Sequence, residues 1–93
     1  LRDYKKLSQL IARVRPDFVF HLAAQSLVRR SYKDPMETFS SNVSGTINVL
    51  ESLRQLEHSG SLCNVIIVTS DKCYRNLERN HPYVETDQLG GLD

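Results

Sequence analysis

The sequence predicts an α/β fold, the central piece of a doubly wound parallel sheet, and three observations predict it. Two short runs, Phe18-Val19-Phe20-His21-Leu22 and Val65-Ile66-Ile67-Val68, are apolar almost throughout. Without the alternation of a half-wet strand, each reads as a strand covered on both faces, the usual situation of a parallel sheet. Each run also follows a stretch with helical spacing, so the order is helix, strand, long helix, strand. Crossovers of this length are right-handed and leave the strands parallel. Finally, the second strand stops abruptly at Thr69-Ser70-Asp71-Lys72-Cys73-Tyr74. Open parallel sheets bind ligands at the C-terminal ends of their strands. On pattern alone, a core strand running into a polar turn would look the same.

The elements follow in order. Tyr4 to Arg15 reads as a short amphipathic helix, with Leu7, Leu10, Ile11 and Val14 on one face and Lys5, Lys6, Arg13 and Arg15 on the other. Pro16 stops it, and Asp17 leads into the first strand. Ala23 and Ala24 follow that strand; methyl side chains there serve either tight helix–strand packing or the approach of something bulky. Arg29, Arg30 and Lys33 form a local basic cluster, suited to a phosphate or to plain solvation. Asp34-Pro35 opens the long helix, since a capping Asp followed by Pro at the first helical position is a start signal. Its expected apolar stripe is Phe39, Val43, Thr46, Ile47, Leu50, Leu53 and Leu56. Ser40, Ser41, Asn42 and Ser44 crowd polar groups near that stripe, where buried ones need partners. Gly60 suits a left-handed cap at the helix end, and the second strand runs from Asn64 to Thr69. Arg75 to Gln88 reads as a polar surface loop near the strand end, with Glu78, Glu85 and Asp87 as solvated charges.

Composition narrows the function. The 93 residues are 40% hydrophobic and 25% charged with a net charge of +1, enough for one small globular unit. That charge makes no case for nucleic acid or an acidic membrane, which need a concentrated basic face. No apolar run approaches the ~20 residues of a membrane span. Cys63 and Cys73 lack metal-binding spacing and read as reduced thiols, so no metal is expected. The chain starts at Leu1 without a signal peptide and stops at Asp93 without a terminating element, and is expected to be an internal piece of a longer, cytoplasmic protein.

Three motifs, in this order and spacing, resemble the extended short-chain dehydrogenase/reductase family: His21-Leu22-Ala23-Ala24-Gln25, Asn42-Val43-Ser44-Gly45-Thr46 and Thr69-Ser70-Asp71-Lys72-Cys73-Tyr74. More narrowly, Ala24 to Arg29, Thr69 to Asn76 and the tail from Glu85 to Asp93 resemble the CDP-glucose 4,6-dehydratases. Their dTDP-glucose relatives carry Asp-Glu where this chain has Asp71-Lys72.

The resemblance implies a partial NAD(P)-binding Rossmann-like domain over residues 1–93. The Gly-rich phosphate loop is then expected upstream and the Tyr-x-x-x-Lys pair downstream, so these residues alone are expected to be inactive. The implied cofactor is NAD, the substrate a nucleotide sugar and the whole protein a homodimer. The implied reaction oxidises C4, eliminates water across C5 and C6, and returns the hydride to C6. By motif position, Leu22, Ala23, Ala24, Gln25, Ser41 and Thr69 line the cofactor, and Ser26 contacts the sugar. Ser70 would bond the sugar 4-oxygen, Asp71 would protonate the departing C6 hydroxyl, and Lys72 sits where relatives place the C5 base. Adjacent Asp and Lys favour each other's charged forms, which opposes the proton affinities those two roles need. Asn42 is expected to fix backbone geometry, and His21 to be a packed histidine. Two other readings remain: another dehydratase or epimerase on the same scaffold, which the Asp-Lys pair separates from a simple 4-epimerase, and a non-catalytic NAD-binding module.

Overall fold

The computed structural model describes residues 1–90. Gly91, Leu92 and Asp93, the end of the tail that carries part of the resemblance, lie outside them. Helix α1 (Tyr4–Val14) starts where the Asp3 side chain accepts the Lys6 N–H at 3.1 Å. It ends as Arg15 turns left-handed (φ 49°), with its N–H bonded to the Ile11 carbonyl at 2.8 Å. Strand β1 (Phe18–His21) follows and pairs in parallel with β2 (Asn64–Ile67). In the register, Val19 sits beside Val65 and His21 beside Ile67.

Between the strands the chain is largely helical: α2 (Val28–Lys33), α3 (Pro35–Phe39), a π-helical turn over Ser40–Ser44, and α4 (Gly45–His58). The start signal at Asp34-Pro35 holds: Asp34 accepts the Glu37 N–H at 2.9 Å, and Pro35 occupies the first turn. The single long helix of the sequence reading is instead interrupted by the π turn, where Gly45 donates its N–H to Ser40, five residues back. Ser40, Ser41, Asn42 and Ser44 have side chains that compete for backbone hydrogen bonds, and so hold regular helix weakly. Gly60 takes φ 86° after α4, a conformation that a Cβ would strain.

Helix α1 packs on α4, and between them and the sheet lies the core: Ile11, Val49, Leu53 and Leu56, with Leu7, Val19 and Cys63 against it. Burial holds the Cys63 thiol above its ordinary pKa, with the Asp17 charge adding to the effect. Val49 and Ser52 carry the buried face together with Leu53 and Leu56. The front of the expected stripe does not: Phe39, Val43, Ile47 and Leu50 are exposed. Helix α4 is thus apolar on two sides and seats only one.

The sheet is also covered on one face. Helix α1 leads into β1 and α4 into β2, and because the helices touch each other they share one side. The extents of 46 × 34 × 15 Å leave room for a sheet and a single helical layer. On the other side Phe18 and Phe20 stand 64% and 61% exposed, with Ile66 beside them. The apolar residues on both faces of these strands were legible, but the described residues supply a cover for only one.

Candidate active site

Parallel pairing brings both strand ends to one edge, where the Val68 N–H donates to the His21 carbonyl at 3.0 Å. Two hollows open there. One, of about 350 Å³, is bordered by His21, Ala23, Ala24, Asn42, Thr46 and Thr69 among others. The second, of about 520 Å³, takes in Ala23, Ala24, Gln25, Ser26, Arg30 and Ser41. They share Ala23 and Ala24, whose methyl groups leave the backbone accessible between them. The two hollows adjoin at Ala23 and Ala24, and their linings mix apolar groups with a few polar ones, as small-molecule clefts do.

Asn42 holds the wall of both. Its Oδ1 accepts the Gln25 N–H at 2.7 Å, and its Nδ2 donates to the Gln25 carbonyl at 2.9 Å. The π turn aims this side chain at the strand-end loop and sets Ser41 against the larger hollow. The expected role of Asn42 in backbone geometry matches what it does. Gln25 itself spends its amide locally: Nε2 donates to Thr38 Oγ1 at 3.0 Å, and Oε1 accepts the Leu27 N–H at 2.7 Å.

His21 is buried at 6% exposure, as expected of a packing residue, and its Nε2 lies 3.0 Å from Thr46 Oγ1. The Thr46 hydroxyl gives its proton to the Asn42 carbonyl at 2.6 Å. Nε2 of His21 therefore carries a proton, an assignment made from the hydrogen-bond network. One chain of bonds thus links the end of β1 to the π turn and, through Asn42, to Gln25.

The basic cluster resolves into separate parts. Arg30 forms a two-point ion pair with Glu37, with Nε–Oε2 at 2.7 Å and Nη2–Oε1 at 2.8 Å, tying the last turn of α2 to the first of α3. Hydrogen bonding to Glu37, and then its charge, raises the Arg30 pKa. Arg29 and Lys33 stay exposed. Helix α2 itself was not foreseen, since Val28-Arg29-Arg30-Ser31-Tyr32-Lys33 has no apolar period.

Of the sequence-derived site residues, the structure brings Ala23, Ala24, Gln25, Ser26 and Ser41 around the larger hollow and Thr69 to the smaller. Leu22, Ser70, Asp71 and Lys72 border neither; all four are exposed at the same sheet edge. Ser70 Oγ accepts the Lys72 N–H at 3.0 Å, a local turn that sets the triplet's shape. Beyond it, Asp87 is not the solvated charge expected. It is half-buried against Arg79 and accepts the Val84 N–H at 2.7 Å. The hydrogen bond from Arg79, and then that from Val84, holds its carboxyl below the usual range. Among the described residues no group of three or more His, Cys, Asp or Glu side chains is placed to hold a metal. No helix there is long and apolar enough to cross a membrane.

The parallel strands, the helices of one layer and the hollows at the strand ends are those of a Rossmann-type α/β domain. Solved relatives share it. A UDP-glucose 4-epimerase from Thermus thermophilus, in complex with NAD, superposes with a TM-score of 0.74 at 30% identity, over 97% of this chain and 28% of that one. The UDP-glucose-4-epimerase of Stenotrophomonas maltophila, with bound NAD and formylated UDP-arabinopyranose, gives 0.74 at 28% identity over 98% of this chain and 26% of its own. The chain belongs to the GDP-mannose 4,6 dehydratase family, whose model matches residues 1–91. It is 47% identical over all 93 residues to the CDP-glucose 4,6-dehydratase of Salmonella typhimurium and covers 25% of that protein. To the CDP-paratose 2-epimerase of Salmonella typhi it is 38% identical over 94% of this chain and 25% of the relative. The chain thus spans about a quarter of the length of these relatives.

Proposed function

We propose that residues 1–93 are the central part of the NAD-binding domain of a nucleotide-sugar 4,6-dehydratase acting on CDP-glucose. The observation that carries this reading is the 47% identity with a CDP-glucose 4,6-dehydratase over every residue of the chain. The Ser70-Asp71-Lys72 triplet at the sheet edge supports it. NAD, when bound, supplies the acceptor and donor of the hydride. Ala23, Ala24, Gln25, Ser41 and Thr69 would hold it at the two hollows, with Leu22 beside them at the sheet edge, while Ser26 and Ser70 would meet the sugar nucleotide.

The chemistry of the triplet follows from its donors. Ser70 uses a lone pair for the Lys72 N–H, which leaves its hydroxyl proton to donate to the sugar 4-oxygen. A 4-keto group acidifies the C5 proton, which Lys72 takes as Asp71 gives a proton to the departing C6 hydroxyl. Both residues are exposed at the sheet edge, and the two roles require a protonated Asp71 and an uncharged Lys72 when the sugar is bound. We propose that the whole protein pairs as a homodimer; the exposed Phe39, Val43, Ile47 and Leu50 form an apolar face that either a second copy or the rest of the protein covers.

The test is turnover by the full-length protein of CDP-, dTDP- and UDP-glucose and GDP-mannose, with product identified by mass spectrometry. CDP-glucose is expected to give a 4-keto-6-deoxy product. Lys72→Ala is expected to stop the elimination while C4 oxidation persists, so that reduced-nicotinamide absorbance builds up to a steady level. Dehydration at the wild-type rate in Lys72→Ala would remove Lys72 from the mechanism, and interconversion of sugar epimers without water loss would replace the reading with the epimerase one.

A further inference from the structure

Residues 73–90 leave the triplet and return to it, and the excursion is fastened at both base and tip. At the base, Tyr74 and Leu89 form an antiparallel bridge. Arg75 donates its N–H to the Gln88 carbonyl at 2.9 Å, and Gly90 donates to the Cys73 carbonyl at 3.2 Å. A Cβ on Gly90 would lie 3.0 Å from both Arg75 Cα and Cβ and 3.3 Å from its nitrogen, so any side chain there must push the base apart.

At the tip, Asp87 receives both terminal nitrogens of Arg79, with Nη1–Oδ1 at 3.1 Å. The same guanidinium lies 4.2 Å from the centre of the Tyr83 ring. Its Nε is buried without a partner among the described residues, so Asp87 and Tyr83 are what hold this side chain. The Tyr83 hydroxyl accepts the Leu77 N–H at 3.0 Å, and its ring stacks on Tyr74 at 5.2 Å with the planes 2° apart. Tyr74 belongs to both the tip stack and the base bridge, and so couples the two.

The triplet is strung between two anchors. Upstream, Val68 is bonded to the end of β1; downstream, Cys73 is bonded to Gly90. We propose that the 73–90 excursion is a clasp that fixes Ser70, Asp71 and Lys72, with Arg79, Asp87 and Gly90 as positioning residues. This rests on the assignment of the triplet as the catalytic groups. Misplacement of reacting groups by about 1 Å can cost ~100-fold in rate, so a clasp that only positions the triplet acts on kcat.

The experiment takes the full-length protein with Asp87→Ala, Asp87→Glu and Gly90→Ala, and reads amide hydrogen exchange and steady-state kinetics with CDP-glucose. Asp87→Ala at the tip and Gly90→Ala at the base are both expected to speed exchange at the Lys72 N–H. Each is expected to lower kcat by about tenfold or more, with KM within about twofold of wild type. Asp87→Glu, which can still pair with Arg79, should recover most of the rate. Faster exchange at the Val84 N–H in Asp87→Ala, with Lys72 exchange and kcat both as in wild type, overturns the proposal. A wild-type protein that turns over no nucleotide sugar defeats the dehydratase reading alone, and Lys72 exchange still decides the clasp.

Discussion

Replacing Asn42 with Ala removes both bonds that hold the Gln25 peptide and leaves its N–H and carbonyl to find other partners. A neutral hydrogen bond nets ~1 kcal/mol, so the pair stabilises this loop conformation by roughly 2 kcal/mol. If ligand binding requires that conformation, the whole amount appears in the affinity, and at about 1.4 kcal/mol per factor of ten it weakens NAD binding roughly 30-fold. The site is only part-buried, and water replacing some of the lost bonds brings the loss toward about fivefold. Asn42→Asp is the informative companion. It keeps an acceptor for the Gln25 N–H but sets a carboxylate oxygen against the Gln25 carbonyl, so it should bind no better than the Ala variant. Calorimetric titration of NAD into cofactor-free full-length protein measures both. Affinity of Asn42→Ala within about twofold of wild type would refute the claim that the loop at Gln25 is the cofactor wall.

Other expectations follow from the core and the clasp. Leu53→Ala opens a cavity beside Ile11, Val49 and Leu56 and is expected to cost about 2–3 kcal/mol, the lower part of the range for such truncations, read from the urea midpoint of the full-length protein. The Asp87 carboxyl has a lowered pKa in the folded state, so its contribution is present above the ordinary carboxylate value of about 4 and is lost as pH falls through the lowered one. Acid should therefore speed Val84 N–H exchange in the wild type below about pH 4, corrected for intrinsic rates, by more than in Asp87→Ala. An equal acid response in the two proteins would mean that Asp87 does not titrate the clasp.

What could be read from the sequence was what local chemistry decides. Asp34-Pro35 marked its helix start, Gly60 its cap, and the two apolar runs marked the paired strands. Strand ends came out shorter than expected, at His21 and Ile67, because pairing rather than composition terminates them. Features that depend on distant partners were not legible. The π turn shows in the Gly45 N–H bonded five residues back to Ser40, and Asp87 looked solvated because Arg79 lies eight residues away in a stretch without any period. Thr38 gave no signal until the fold set it against Gln25. Around the hollows, Ala23 to Ser26 and Ser41 were recognisable by their motifs, whereas the chain of bonds joining His21, Thr46 and Asn42 required the structure.

The central claim is that the triplet serves an elimination of water with internal return of hydride. The most direct measurement is the fate of deuterium placed at C4 of CDP-glucose and followed by NMR through turnover by the full-length protein. A 4,6-dehydratase moves that deuterium to C6 of a 4-keto-6-deoxy product. Deuterium returned to C4 of an intact sugar, with the C6 hydroxyl retained, would contradict the account.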